Sequence, residues 1–258
     1  MSHPQQPLPP KQTLPSMYDL PSEYPEELGL PDEFHCFQPQ LLRETCCPSI
    51  YPADRVFIGT DLNIYYDVHN AVWHKRPDWF LVLDVERARR QTDLRWSYVV
   101  WQEGVSPFLV VELLSPGTEA DDLGQTLREV SQPPTKWQVY EQILRVPYYA
   151  VFDRYENQFR LYQLVGTRYQ AVDLSADSYW FDELALGLCV WQGEYKGIAG
   201  RWLRWQNLDK SWVPTDDERA EQAQQQVEQA QRQTEQAQQR AEKLAERLRS
   251  MGVDPELL

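Results

Sequence analysis

Three residues of this chain have the types and the spacing for hydrolytic chemistry: Asp78, Glu112 and Lys136. Glu112 stands inside the apolar run from Pro107 to Pro116, which reads as a short strand buried on both faces. An ionised carboxylate in that setting must be paired, hydrogen-bonded or bound to a metal, because desolvating it alone is expensive. One reading pairs Glu112 with an arginine from a neighbouring element; the other joins it to a second acid, Asp78, at the head of the Trp79–Val85 run. Two carboxylates with an adjacent peptide carbonyl make an anionic, all-oxygen site suited to Mg²⁺ or Mn²⁺ rather than zinc. A lysine beside them completes a set for phosphodiester hydrolysis, in which the ion polarises the phosphate and activates a water while the lysine orients that water or balances developing charge. Lys136 is the candidate, and its alternative is a solvated residue at a helix start.

These residues need a scaffold of strands with a helix between two of them. Residues 55–59 and 79–85 read as strands, and Asp61 to Asp67 alternates apolar and polar in the strand period, so these look like the antiparallel flank of a sheet with a turn at Gly59-Thr60-Asp61. Residues 86–106 are charged and irregular, with Arg87, Arg89, Arg90 and Arg95 and an aromatic patch of Trp96, Tyr98 and Trp101; the segment is a lid, a partner surface or an inert insertion. After the Glu112 strand the chain turns polar and acidic, and a helix starts at Thr135, which has capping-box spacing to Gln138 and sets Lys136 and Tyr140 on one face. Pro147 ends that helix and Tyr148–Asp153 is the next strand, so strand, helix and strand form a crossover unit. Phe159–Leu164 and Tyr169–Val172 flank Gly166-Thr167 as a hairpin, and residues 179–212, with five tryptophans, are expected to give a last strand and an aromatic cover.

Three stretches follow from composition and pattern: a proline-rich extended arm over 1–39, a central α/β domain over 40–212 opening on a short helix at Gln40–Thr45, and a C-terminal helix over 213–258. The last begins at Thr215 with a capping box to Glu218 and runs without Pro or Gly to Gly252. Ala220, Ala223, Val227, Ala230, Thr234, Ala237, Ala241, Leu244, Leu248 and Met251 recur at alternating three- and four-residue steps, a heptad seam that points to a homo-oligomer through 216–251, against a plain solvated helix as the other reading.

The net charge is -14, and Lys+Arg against Asp+Glu is 1 to 6 over residues 1–40, 18 to 23 over 41–213 and 6 to 10 over 214–258. That balance argues against a general nucleic-acid coat protein while leaving the central segment close to neutral. Four cysteines without a CxxC spacing, no signal peptide and no apolar stretch of membrane-spanning length lead us to expect a soluble, cytoplasmic chain with free thiols and no membrane partner. No glycine-rich phosphate loop or nucleophile motif favours a small-molecule enzyme.

The ordered series Pro77-Asp78, Val110-Val111-Glu112-Leu113-Leu114-Ser115-Pro116-Gly117-Thr118, Asp122, Lys136 with Tyr140, and Val146-Pro147-Tyr148-Tyr149-Ala150-Val151-Phe152-Asp153 resembles the putative restriction endonuclease family expanded in cyanobacteria. The resemblance implies a PD-(D/E)XK nuclease fold, here an α/β, restriction-endonuclease-like mixed sheet core flanked by helices and followed by a coiled-coil helix. It implies Asp78 and Glu112 as metal-binding catalytic acids, Lys136 as a displaced catalytic lysine, and supporting roles for Asp122 and Tyr140. An acid from the first helix, Glu44, is the expected completion of the site. Where the general motif has Lys two residues after the Glu, this chain has Leu114. The implied activity is Mg²⁺-dependent hydrolysis of DNA; the alternative is an inactive nuclease fold that oligomerises or recruits partners through its tail.

Overall fold

The computed structural model of the chain describes residues 32–115, 119–125 and 133–251, with the side chains of Asp121 and Leu248 left out. Residues 1–31 of the proline-rich arm therefore lie outside the described residues. The chain divides into two compact units, Met1–Ser211 and Trp212–Leu258.

In chain order the first unit contains α1 (Glu33–Thr45), β1 (Val56–Thr60), β2 (Ile64–Tyr65), β3 (His74–Lys75), β4 (Trp79–Leu83), β5 (Tyr98–Val99), α2 (Val100–Glu103), β6 (Leu109–Leu113), α3 (Glu119–Asp122), α4 (Lys136–Gln138), β7 (Tyr148–Asp153), β8 (Gln158–Val165), β9 (Arg168–Ala171), β10 (Ser178–Phe181), β11 (Leu186–Tyr195) and β12 (Ile198–Gln206). The main sheet has the order β1-β4-β6-β7-β8-β9. Only β6 and β7 are parallel in it, Leu109 facing Tyr148, which is the register that a helical crossover between them produces. Every residue of β4, β6 and β7 is buried, as expected for strands covered on both faces.

One face of this sheet is packed by Val110, Leu114, Tyr149 and Val151 against Val139, Tyr140 and Leu144. These last three follow α4, which opens on the capping box read from the sequence: the Gln138 amide donates to Thr135 Oγ1 at 3.2 Å and the Thr135 amide to Gln138 Oε1 at 3.1 Å. The helix then widens into a π-helical turn over Val139–Ile143, a form that in short insertions often marks functional positions. On the opposite side Phe34 of α1 stacks on Trp202 at 5.6 Å, and Trp79 of β4 meets Trp205 at 6.1 Å. Buried Gln38 fastens α1 to β12 by exchanging two 2.8 Å hydrogen bonds with the Leu203 backbone.

Three expectations change. The first helix starts at Glu33 rather than Gln40, because Asp32 caps it by accepting from the His35 amide and the packing of Phe34 and Gln38 carries it through Pro39. The Asp61–Asp67 stretch does not flank the main sheet: Asp61 takes a left-handed turn (φ 49°), and Ile64–Tyr65 instead joins a small sheet of order β3-β2-β5, parallel to β5. Residues 178–206 form three antiparallel strands, because Phe181, Leu188, Trp202, Leu203 and Trp205 together supply enough buried area for a sheet of their own.

The second unit carries α5 (Asp216–Ser250), a helix of 35 residues. Thr215 caps it, accepting from the Glu218 amide at 3.2 Å while its own amide donates to Glu218 Oε2 at 2.8 Å. Its side chains are exposed from Ala220 to Leu244.

Candidate active site

The period-two alternation of β6 sets Val110, Glu112 and Leu114 on one face, the face that α4 covers. Glu112 is therefore fully buried beneath the helix that follows it. In the antiparallel pairing of β4 with β6, Trp79 stands opposite Val111, so Asp78, one residue earlier, comes to the end of the sheet beside Glu112. The Leu113 amide donates to Asp78 Oδ2 at 2.6 Å and fixes that carboxylate. Lys136, the first residue of α4, reaches back over the strand ends: its Nζ lies 3.0 Å from Glu112 Oε2 and 2.9 Å from Asp122 Oδ1. Tyr140, one turn along, donates to Glu112 Oε1 at 2.9 Å. Asp122 is buried as well, and its carbonyl accepts from Tyr149 Oη at 2.9 Å.

Three carboxylates thus gather around one ammonium. Burial pushes the Glu112 carboxyl well above the ordinary range; Lys136 opposes this, while Asp122 and Asp78 add to it. Asp78 is raised by burial too, against the pull of Lys136 and His35 and the Leu113 amide. For Lys136 burial disfavours the charge, but Glu112, Asp122 and Asp78 outweigh it and hold the ammonium above the usual lysine range, so it stays protonated. Burial and the Glu112 carboxylate likewise raise the Tyr140 phenol, keeping it a donor.

The sequence therefore names five residues that the fold brings together: Asp78, Glu112, Asp122, Lys136 and Tyr140. Glu44 is not among these contacts. Its carboxylate accepts from Gln40 Nε2 at 2.8 Å and from Tyr195 Oη at 3.1 Å, which turns it toward β11. The α1 side chain that does approach the strand end is His35, about 13 Å nearer the helix start at 1.5 Å per residue. Its Nε2 lies 3.1 Å from the Leu113 carbonyl and 3.2 Å from Ser115 Oγ, and its Nδ1 lies 2.8 Å from Asp32 Oδ1. Asp32 is in turn paired with Arg154, at the end of β7. A lone His ahead of an unrecognised helix start gave no sequence signal for this role.

The arginine-rich segment is built differently. Arg90 pairs with Asp93 at 2.8 Å, Arg89 with Glu86 at 3.3 Å and Arg95 with Glu103 at 2.6 Å, so those basic charges are met locally. The aromatic patch also divides: Trp96 and Trp101 are exposed, whereas Tyr98 is buried against Phe57 and Phe80.

The donors present fit a hard divalent ion in kind and in charge: Asp78, Glu112 and Asp122 offer carboxylate oxygens at the buried end of β6. Among the described residues no three His, Cys, Asp or Glu side chains converge closely enough to hold an ion, and the Lys136 ammonium stands between the acids.

A mixed sheet with a helix-linked parallel pair, acids at the ends of β4 and β6 and a lysine returned from the helix between them define an α/β, restriction-endonuclease-like protein. The family model described as putative restriction endonuclease (Uma2) matches residues 41–189, more than half of the chain, and the chain belongs to that family. A crystal structure described as a putative nuclease belonging to DUF820 from Anabaena variabilis is similar at a TM-score of 0.33 and 12% identity, covering 49% of this chain. The match spans 59% of that protein's length. No curated protein matches the chain. No helix among the described residues is long and apolar enough to cross a membrane.

Proposed function

We propose that this protein is an endonuclease that hydrolyses DNA phosphodiester bonds with Mg²⁺ or Mn²⁺. Asp78 and Glu112 would hold the ion, with Asp122 beside them, and Lys136 acts as the catalytic lysine. The observation that carries the reading is the reach of Lys136: although Leu114 occupies the usual lysine position, an ammonium from α4 arrives 3.0 Å from Glu112. When bound, the ion would polarise the phosphate and lower the pKa of an attacking water. The chain's own residues supply the rest. The Leu113 amide orients Asp78, Tyr140 Oη locks one oxygen of Glu112, and Lys136 offers a positive charge to a phosphate oxygen as negative charge builds there. The same ammonium bridges Glu112 and Asp122 with two of its three N–H donors, which leaves one to serve a phosphate.

That bridging supports a second reading. A lysine that permanently neutralises the acids leaves a nuclease fold without chemistry, serving as a platform for partners. Two measurements separate the readings: cleavage of plasmid, linear and single-stranded DNA with Mg²⁺ by the wild type and Glu112→Gln, and calorimetric titration of Mn²⁺ into the wild type and Asp78→Ala. Cleavage lost in Glu112→Gln and heat lost in Asp78→Ala are expected. Equal activity in wild type and variant, or silence in every arm, overturns the endonuclease reading, and silence in every arm favours the platform.

A further inference from the structure

The tail helix α5 is about 52 Å long, and its apolar side chains lie open to solvent, Val227, Leu244 and Met251 being 52%, 60% and 71% exposed. Along the seam the bulk is unevenly placed. Ala220 and Ala223 stand at the start, Leu244, Leu248 and Met251 at the end. A parallel pair in register would set each residue on its own copy, Ala on Ala at one end and Leu or Met on itself at the other, which asks for two different spacings between the same two helices. An antiparallel pair in full overlap sets Ala220 against Met251 of the partner subunit, Ala223 against Leu248 of the partner subunit and Val227 against Leu244 of the partner subunit, with Ala and Thr layers in the middle. Alanine then meets Met or Leu at both ends of the joint, an a position always meets a d position, and the two ends take the same spacing, which is how layers interdigitate.

Charge points the same way, independently of size. From Asp216 to Glu235 six acids (Asp216, Asp217, Glu218, Glu221, Glu228, Glu235) stand against Arg219 and Arg232, a net of -4; from Gln236 to Ser250 four bases (Arg240, Lys243, Arg247, Arg249) stand against Glu242 and Glu246, a net of +2. The helix dipole favours acids in the first turn and bases in the last, but its influence ends there and does not account for Glu228, Glu235, Arg240 or Lys243. Between Ala220 and Thr234 the residues flanking the seam, Gln224, Gln226, Gln231 and Gln233, carry no charge, so no like-charged pair sits at the edge of that part of the joint.

We propose that α5 closes on a second copy of itself as an antiparallel two-helix coiled coil in this full-overlap register. The inference goes beyond the nuclease reading and does not depend on it. The chain preceding each helix then joins the rod at opposite ends, about 50 Å apart. The test uses the full chain with its exposed cysteines removed as Cys36→Ser and Cys47→Ser, Cys46 and Cys189 being buried. Sedimentation should give twice 30.4 kDa. Under mild oxidation Ala223→Cys alone and Leu248→Cys alone should not cross-link, whereas the double variant should cross-link nearly completely. A second variant leaves the seam intact: Glu228→Lys with Glu235→Lys cancels the acidic half and should weaken the dimer several-fold at low salt, where a parallel dimer would tighten. Cross-linking by either single cysteine, tightening by the charge reversal, or a monomeric or trimeric mass overturns the proposal.

Discussion

The end of β6 and the segment from Asp84 to Glu103 both gather charged side chains, and they do so on opposite terms. In the segment Arg90 meets Asp93 and Arg89 meets Glu86 in the open, and only the Arg95–Glu103 pair is half-buried among these three. Exposed pairs of this kind contribute little, since water and salt screen them. At the strand end three carboxylates share one ammonium inside the core, so charge is left over where desolvation makes it expensive. The louder cluster in the sequence is electrostatically quiet, and the single Glu in an apolar strand carries the imbalance. That imbalance is the ground for proposing that the cluster receives a cation.

Breaking the buried cluster at its only described cation should have the largest effect. Lys136→Met strands three acids and is expected to lower the unfolding free energy by about 3–5 kcal/mol near neutral pH, read from urea denaturation in EDTA. The deficit should shrink in acid as the carboxyls protonate; a constant deficit would contradict the electrostatic account. Tyr140→Phe removes the donor to Glu112 Oε1 and should cost about 1–3 kcal/mol by the same assay.

The comparison is sharpened by pH. The folded Glu112 carboxyl binds its proton more tightly than the unfolded one, so its contribution is complete below the ordinary glutamate pKa and is lost as pH rises through the folded value. Relative to Glu112→Gln, the metal-free wild type should lose stability on going from about pH 4 to pH 8, with a slope of at most about 1.4 kcal/mol per pH unit for this one proton. A flat difference between the two proteins would remove Glu112 from the account. The smallest effect belongs to the exposed segment: Arg90→Ala should leave the urea midpoint unchanged, and a clear shift would show that the segment bears load after all.

Much of the site was legible because it is local. Glu112 in an apolar strand, the Thr135–Gln138 cap and the four-residue step from Lys136 to Tyr140 are each fixed by neighbours in sequence, and the crossover order joins them. What failed depended on contacts between distant residues. His35 and Glu44 share one helix, and only the docking of α1 through Gln38 onto Leu203 decides which of the two meets the Leu113 carbonyl. The Asp61–Asp67 alternation promised a strand beside β1, yet Ile64–Tyr65 pairs instead with β3 and β5, although β1 is an end strand of the main sheet.

The sequence by itself determined the strand that buries Glu112, the caps that start α4 and α5, and the heptad seam, since hydrophobic period and side-chain-to-backbone bonds act over a few residues. Tertiary structure alone decided that Asp78, Glu112, Asp122 and Lys136 meet in one buried cluster and that Arg89, Arg90 and Arg95 pair with nearby acids. Electrostatic energy depends on burial and on distance through space, and neither is written in the spacing of residues along a chain.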